Sequence, residues 1–391
     1  MSVRKKDKIK VLQVLEATTG GTRRHLLDLV RELDPGRFEV SIVCATGRDP
    51  EFIKDIQYMR DAGHRVDVLP MVRPIRPFND LRNLFRICGI LRENPVDIVH
   101  THSAKAGILG RTAAKLVGGL KIVHTPHHFP FDMEVNRYAR QFYFRIEKNA
   151  GRVTDRIVCV CKRERESALK RRLAPPEKLV VIENGIHAEE AKAAPRTIQR
   201  RRRELDLEPE HIAIGVVGRF TRQKGQIFLL DAAPEILRRV PNAYFIFIGG
   251  GEDYPQLVQR AAHNDVSDRC RFVEQRLDIA AFYGALDLLV MPSLWEGLPY
   301  TLLETMAAGT PVAAFETGGI MDVIRHNHNG LLVPRKDTEA LADTVCRAAL
   351  DQNLRDDLAA AARETVGQNH DIAQMITETE QMYEELAVWR T

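Results

Sequence analysis

The sequence predicts an α/β protein made of two similar parallel-sheet domains, and three observations carry that expectation. Short apolar runs alternate with segments of helical period along the first half of the chain, the pattern that parallel βαβ units produce. The alternation stops over residues 188–210, which are polar, charged and marked by proline, and a second alternating series begins at Ile212. The length of 391 residues suits two or three domains of ordinary size. The expected boundaries are 1–187 for the first domain, 188–210 for a linker, 211–370 for the second domain and 371–391 for a closing helix.

In the first series, Ile9–Ala17 reads as a strand, and the helix His25–Leu33 follows it across Thr18-Thr19-Gly20-Gly21-Thr22-Arg23-Arg24. A double glycine at that point is either a tight turn or a place where backbone approaches a ligand closely. Strands follow at Phe38–Thr46, Arg65–Pro70, Val96–His102 and Lys121–His127, the last two separated by a helix over Lys105–Leu116. The loop Val72–Phe78 mixes proline, arginine and apolar side chains, as suits a stiff surface connection or contact with an anionic amphiphile. His100, His102, His124, His127 and His128 gather at the carboxyl ends of two strands, with His100 and His102 on one side by strand period. There is no HExxH, no CxxC and no carboxylate at ligand spacing, so the cluster argues against a zinc site. It suits structural histidines, polar contacts to a sugar, or a proton acceptor. Arg156–Cys161 and Leu179–Ile182 complete the series, which ends in the turn Glu183-Asn184-Gly185.

Ile212–Gly218 opens the second series. Arg219 and Lys224 bracket the loop between it and the helix Ile227–Val240. Two cations flanked by glycines at a strand's carboxyl end suit a diphosphate, to which arginine can bond in a fork; a solvated basic loop is the plainer reading. Ala243–Ile248 runs into Gly249-Gly250-Gly251-Glu252, again a place for close backbone approach. Cys270–Val273 leads through Glu274-Gln275-Arg276 to a helix near Ile279–Leu286. Strands at Pro311–Phe315 and Gly330–Pro334 flank the turn Thr317-Gly318-Gly319-Ile320, and from Thr338 the pattern is helical with a break around Gly367–His370.

The most informative stretch runs from Met291 to Val312. The apolar run Leu288–Met291 reads as a buried strand; Pro292 and Gly297 break it, and Pro299 opens a helix that Gly309 and Pro311 close. Glu296 therefore sits in a strand-to-helix loop, and Glu304 one to two turns into the helix. On a continuous helix that spacing amounts to about 12 Å along the axis and roughly 80° around it. A glycosidase pair needs carboxyls about 5 to 9.5 Å apart across one bond. The spacing suits two carboxylates gripping separate hydroxyl groups of a long ligand, its anionic middle on the helix N-terminus. Surface glutamates on a helix are the plainer reading; the position after a strand, where open α/β sheets bind ligands, favours the other.

Composition is that of an ordinary soluble chain, and no apolar run approaches the roughly eighteen residues of a membrane span. The start, Met1–Lys6, is basic and leads into a strand rather than a signal-peptide core, so the expected location is the cytoplasm. The six cysteines form no CxxC pair and are expected as buried thiols, with Cys44, Cys159 and Cys161 in strands. Basic residues cluster at Arg73 and Arg76, over Lys162–Arg172 and over Arg200–Arg203. Such runs suit a solvated face or an anionic membrane surface; no nucleic-acid-binding module accompanies them.

Taken in order, the Gly20-Gly21 loop, the His127 region, Asn184-Gly185, Arg219 with Lys224-Gly225, Gly249–Glu252, the Glu296 to Glu304 motif and Gly318-Gly319 resemble the retaining glycosyltransferases of family 4, glycosyl transferases group 1. The resemblance spans nearly the whole chain. It implies the GT-B architecture, two Rossmann-like α/β/α domains with a cleft between them. It implies transfer of a sugar from a UDP- or GDP-sugar to a hydroxyl acceptor, with retention of configuration and with no metal or other cofactor. Residue by residue, Arg219 and Lys224 would hold the diphosphate, Glu304 the ribose hydroxyls and Glu296 the donor sugar. Main-chain N–H groups over Gly297, Leu298, Tyr300 and Thr301 would face the phosphates. Gly20 and Gly21 would close on the donor from the first domain, and His127 would lie at the reacting sugar. The catalytic candidates are thus His127, Glu296, Arg219 and Lys224. One departure stands out: the family commonly has His-Gly where this chain has His127-His128-Phe129, which leaves His124 and His128 beside His127 as candidates. The helix Asp371–Arg390 resembles the family's closing helix, which crosses back to the first domain.

Basic and apolar loops at Arg73–Phe78 and Phe129–Met133 fit a lipid-linked saccharide acceptor in polysaccharide or cell-envelope glycan synthesis, with peripheral contact to the inner face of an anionic membrane. The alternatives are a nucleotide-sugar epimerase of the same architecture, which needs no acceptor, and a non-catalytic sugar-nucleotide-binding protein. A Rossmann dehydrogenase is weaker, since neither glycine cluster completes GxGxxG.

Overall fold

The structure, a computed structural model, describes residues 8–274 and 278–388. The basic start at Met1–Lys6, the Gln275-Arg276 pair and residues 389–390 of the expected closing helix lie outside the described residues. The chain divides into two compact units, residues 1–183 with 373–391, and residues 184–372. Among the described residues the first holds seven strands: β1 Ile9–Leu15, β2 Phe38–Cys44, β3 Arg65–Val68, β4 Ile98–His102, β5 Lys121–Thr125, β6 Arg156–Cys159 and β7 Leu179–Val181. Every pairing is parallel, in the order β3-β2-β1-β4-β5-β6-β7. β1 and β4 are buried along most or all of their length because helices cover both faces of a parallel sheet. The strand order reverses between β1 and β4, the switch point where such sheets bind ligands.

The second unit repeats the plan with β8 Ile212–Val217, β9 Ala243–Ile248, β10 Cys270–Val273, β11 Leu288–Met291, β12 Val312–Phe315 and β13 Leu331–Val333. The order is β10-β9-β8-β11-β12-β13, again all parallel, and the reversal falls between β8 and β11. A core of Val216, Phe245, Phe247, Leu288, Val290, Phe315 and the helix residues Leu229, Leu230 and Ile236 fills one side of this sheet. That packing fixes the carboxyl ends of β8 and β11, and so the loops that leave them.

Helices also form in segments to which the sequence pattern assigns no element. Pro77–Glu93 and Arg137–Val153 are helical, and residues 188–210 contain a 3-10 turn at Ala188–Ala191 and a helix at Pro195–Glu204. The Arg200–Arg203 run is not simply a solvated or membrane-facing surface. Arg201 is buried, pairs with Glu204 and Asp278 and lies over the Phe282 ring. Arg202 donates to the Ala285 and His211 carbonyls at 3.0 and 2.7 Å. Both side chains find carbonyl and carboxylate acceptors within their own unit, which a one-dimensional charge count does not see. All six cysteines are buried thiols, and burial raises those of Cys44 and Cys270 to about 12, far from thiolate chemistry. Cys161 lies just beyond β6, ahead of the helix Lys162–Lys170. The last helix runs Ile372–Val388; from Ala373 it belongs to the first unit, where Met375, Met382, Tyr383 and Leu386 are buried.

Candidate active site

In the second unit the loops leaving β8 and β11, neighbours across the switch point, are bound to each other. Lys224 Nζ donates to Glu296 Oε1 at 2.6 Å. Behind that pair, the Leu294 N–H donates to the Gln223 carbonyl at 2.8 Å and Gln223 Nε2 donates to the Trp295 carbonyl at 3.0 Å. Gln226 Nε2 donates to the Arg219 carbonyl at 2.9 Å, so one amide side chain ties the two loops together and another holds the backbone at Arg219. Gln223 and Gln226 escaped the sequence reading; their only signal was their place beside Arg219 and Lys224.

Glycines allow these backbones to touch. Gly225 has φ +64°, and a Cβ there would overlap the Pro292 carbonyl oxygen; one at Gly318, φ +42°, would overlap the Glu296 carbonyl oxygen. The Gly319 N–H donates to the Gly297 carbonyl at 2.8 Å. Glu296 and Gly297 are thus wedged between the loop after β8 and the glycine turn after β12. Gly249 and Gly251 serve differently from the expectation. A Cβ on either would meet the backbone of Gly218 or Phe220, so the close approach there is to the protein's own loop.

The helix Tyr300–Ala308 starts at Pro299 and ends at Gly309 in the left-handed conformation. Its ladder begins with the Leu302 N–H on the Pro299 carbonyl at 3.1 Å, and Tyr300 and Thr301 lie in the first turn, where the helix dipole favours anions. Glu296 lies in the loop before it and Glu304 in its second turn, where Tyr283 Oη donates to Glu304 Oε2 at 2.8 Å. Leu298, buried, offers its carbonyl to Asn184 Nδ2 at 2.8 Å. That bond explains the Asn184-Gly185 motif better than a turn does: Asn184 steadies the loop, and at Gly185 a Cβ would overlap the Asp371 carbonyl.

Gly20, Gly21 and His127 lie in the first unit. Gly20 and Gly21 are the opening residues of a helix, Gly20–Glu32, which starts five residues earlier than the expected His25; a Cβ on Gly20 would meet open space, although its φ of +59° favours glycine. His127 follows β5, with its Nε2 3.1 Å from His102 Nδ1 and its ring edge-on to His25 at 4.8 Å between centroids. Nitrogens of His25, His102 and His127 lie within 4.8 Å of one another, a spacing that could take a metal ion. Both ring nitrogens of His102 are already hydrogen-bonded, to His127 and to Gln13 Oε1 at 2.8 Å, so a cation would have to break that chain. Burial holds His100, His102 and His127 well below the usual histidine range, and they are neutral at pH 7. His124 lies on the opposite face of the sheet. Its Nδ1 meets Thr101 Oγ1 at 2.9 Å, its Nε2 is 3.8 Å from a Glu147 carboxylate paired with buried Arg111, and a Cβ on Gly107 would press into its ring.

His127 and His128 have φ of +54° and +113°. The second is glycine territory, and a histidine there costs on the order of 1–3 kcal/mol. His128 thus takes a conformation that glycine ordinarily adopts, and Glu164 holds it there. Its Oε1 accepts from the His128 N–H at 2.7 Å and its Oε2 from the Val160 N–H at 2.8 Å.

The model for glycosyltransferase family 4 matches residues 19–190, and that for glycosyl transferases group 1 matches residues 197–365. A UDP-Gal:alpha-D-GlcNAc-diphosphoundecaprenol alpha-1,3-galactosyltransferase of Escherichia coli is 29% identical over 356 residues, 89% of this chain and 90% of the relative. A D-inositol 3-phosphate glycosyltransferase of Salinispora arenicola is 30% identical over 380 residues, 88% of this chain and 82% of the relative. The crystal structure of Anabaena Alr3699/HepE in complex with UDP-glucose superposes with a TM-score of 0.83 at 21% identity, over 96% of this chain and 100% of that one. With two doubly wound parallel sheets and these matches along both, the chain belongs to the family-4, group-1 glycosyltransferases of GT-B fold.

Proposed function

We propose that this glycosyltransferase moves a sugar from a nucleotide diphosphate donor, a UDP-sugar first among the candidates, to a hydroxyl of a lipid-diphosphate-linked saccharide, with retention of configuration. The observation that carries the donor side is the Lys224–Glu296 pair set beside the first turn of the helix Tyr300–Ala308 at the switch point of the second sheet. Lys224 and Arg219 would face the diphosphate with the amides over Gly297–Thr301. Together they would stabilise the charge on the departing nucleotide, a role other enzymes give to a bound cation. Glu296 would then exchange Lys224 for the sugar hydroxyls, Glu304 would take the ribose hydroxyls, and neutral His127 would accept a hydrogen bond from the reacting sugar. Gly20 and Gly21 would supply amides toward the donor from the first unit. The UDP-galactose donor named for the Escherichia coli relative supports the choice of base, and its diphosphoundecaprenol acceptor supports the lipid-linked class.

Membrane contact is part of this reading. No helix among the described residues is long and apolar enough to cross a bilayer. The helix Pro77–Glu93 exposes Phe78, Leu81 and Phe85 together with Arg82 and Arg86, after a loop exposing Arg73, Ile75 and Arg76. Aromatic and arginine side chains on one exposed element suit the interface of an anionic leaflet.

The test of the donor site is transfer from UDP-sugars to a lipid-diphosphate saccharide. With donor below saturation, Lys224→Ala should lower transfer by about 100-fold or more, the scale of losing a fixed charge partner of a transition state, and Glu304→Ala by about 10-fold or more, the scale of a lost charge-assisted bond to the ribose. Wild-type turnover in either variant refutes the assignment. Conversion of the donor with no acceptor present would instead favour the epimerase reading.

A further inference from the structure

A buried chain of hydrogen bonds runs from His127 to the last helix and back to the sheet, all within the first unit. His127 Nε2 meets His102 Nδ1 at 3.1 Å, His102 Nε2 meets Gln13 Oε1 at 2.8 Å, and Gln13 Nε2 donates to Tyr383 Oη at 3.1 Å. Tyr383 Oη meets His100 Nδ1 at 2.6 Å, and His100 Nε2 meets Thr125 Oγ1 at 2.8 Å. Gln13, His100, His102, Thr125 and Tyr383 are at most 1% exposed. Strand register explains the gathering: Gln13 of β1 is paired with His100 of β4, and His102 with Thr125 of β5, which puts these side chains on one face. The last helix lays Tyr383 across that face, its ring edge-on to His100.

The chain has a direction. A neutral imidazole carries one N–H and one lone pair. Gln13 Oε1 only accepts, so the His102 proton is on Nε2 and its Nδ1 is an acceptor. His127 must then donate from Nε2, which leaves the lone pair on His127 Nδ1. At the other end, Tyr383 accepts from Gln13, so its O–H donates to His100 Nδ1 and His100 Nε2–H donates to Thr125. Turning the Gln13 amide over would reverse every link and move the His127 proton to Nδ1.

We infer that Tyr383 and Gln13 are positioning residues that hold His127 in a single tautomer, protonated on Nε2, with Nδ1 presented as the hydrogen-bond acceptor. The depressed titration of His100 and His102 agrees, because a second proton on either ring would place two donors face to face. The inference deepens the proposed role of His127 at the reacting sugar and rests on it for its functional meaning, while the tautomer itself is independent of that role.

The test is long-range proton–nitrogen correlation of the histidine rings in the full 15N-labelled chain, with His127 identified by the signal lost in His127→Gln. The wild type should show one His127 tautomer, Nε2–H. Tyr383→Phe keeps the buried ring and removes the hydroxyl, so Gln13 loses its acceptor and both tautomers should appear. Thr125→Val, which removes the terminal acceptor, checks the same chain from its other end and should shift the balance in the same direction. If half the population adopts the unproductive tautomer, kcat should fall about twofold while KM for the donor stays unchanged. An Nδ1–H or charged His127 in the wild type, or a single unchanged tautomer in both variants, overturns the inference. A mixed tautomer with unchanged kcat upholds the chain and refutes the catalytic place of His127.

Discussion

Glu164 is the residue on which the His127 turn depends, and its chemistry makes that turn sensitive to pH. Burial is the largest influence on its carboxyl and raises it from 4.5 to about 7, against the two backbone N–H bonds that favour the ionised form. The folded chain therefore keeps a proton near neutrality that the unfolded chain has released. The stability from this group is complete below pH 4.5 and is lost as pH rises through about 7. The full shift corresponds to roughly 3 kcal/mol. The buried neutral histidines of the same unit act in the opposite sense below about pH 6.5, so thermal melts across this window should show the first unit gaining stability with rising pH more steeply in Glu164→Gln than in the wild type. Equal slopes would count against the assignment. Sequence patterns marked His127-His128 as a departure from His-Gly, yet nothing in them pointed to Glu164, which lies 36 positions further on.

At the scale of elements, the strand-loop-helix unit from β11 to Gly309 was legible because its punctuation is chemical: proline cannot continue a strand or a helix interior, and glycine accepts the left-handed conformation that closes one. The loop after β8 was legible in its charges but not in its contacts. Gly225→Ala should cost about 1–3 kcal/mol, since the new methyl strains a positive φ and meets the Pro292 carbonyl. It should also displace Lys224 from Glu296. Weakened nucleotide binding by calorimetry, alongside a lowered melting temperature, is the expected result. The helix Pro77–Glu93 was read only as the end of a loop, because Pro77 sits at its first turn, where proline is welcome. If its exposed face meets a membrane, Phe78→Ser with Phe85→Ser should abolish flotation with anionic liposomes at low salt and leave melting temperature within a degree or two of wild type, as exposed substitutions do. Unchanged flotation would move the contact elsewhere.

At the scale of the molecule, the chain leaves the first unit after Glu183 and rejoins it at Ala373. Ile186 pairs with Asp371 at the two ends of the second unit, its N–H donating to the His370 carbonyl at 2.9 Å. The returning helix gives Met375, Ile376, Met382, Tyr383 and Leu386 to the first unit's interior. At about 1.5–3 kcal/mol for each large apolar side chain fully buried, that contribution rivals the net stability of a domain. A chain ending at Ile372 should therefore expose residues 1–183 to limited proteolysis while residues 184–372 stay protected and retain nucleotide binding, since Lys224, Glu296 and Glu304 all belong to the second unit. Protection of the first unit would refute this. The sequence alone determined the α/β class and the two series of strands and marked Arg219, Lys224, Glu296 and Glu304 as candidates, because apolar period, glycine and proline placement and charge are properties of neighbouring residues. Only the tertiary structure decided that Lys224 pairs with Glu296, that Gln223, Gln226, Tyr283 and Asn184 hold the site, and that Tyr383 and Gln13 reach the histidines. Those contacts join residues that strand order and helix packing bring together from up to 370 positions apart, and no local pattern in the chain encodes which of them will meet.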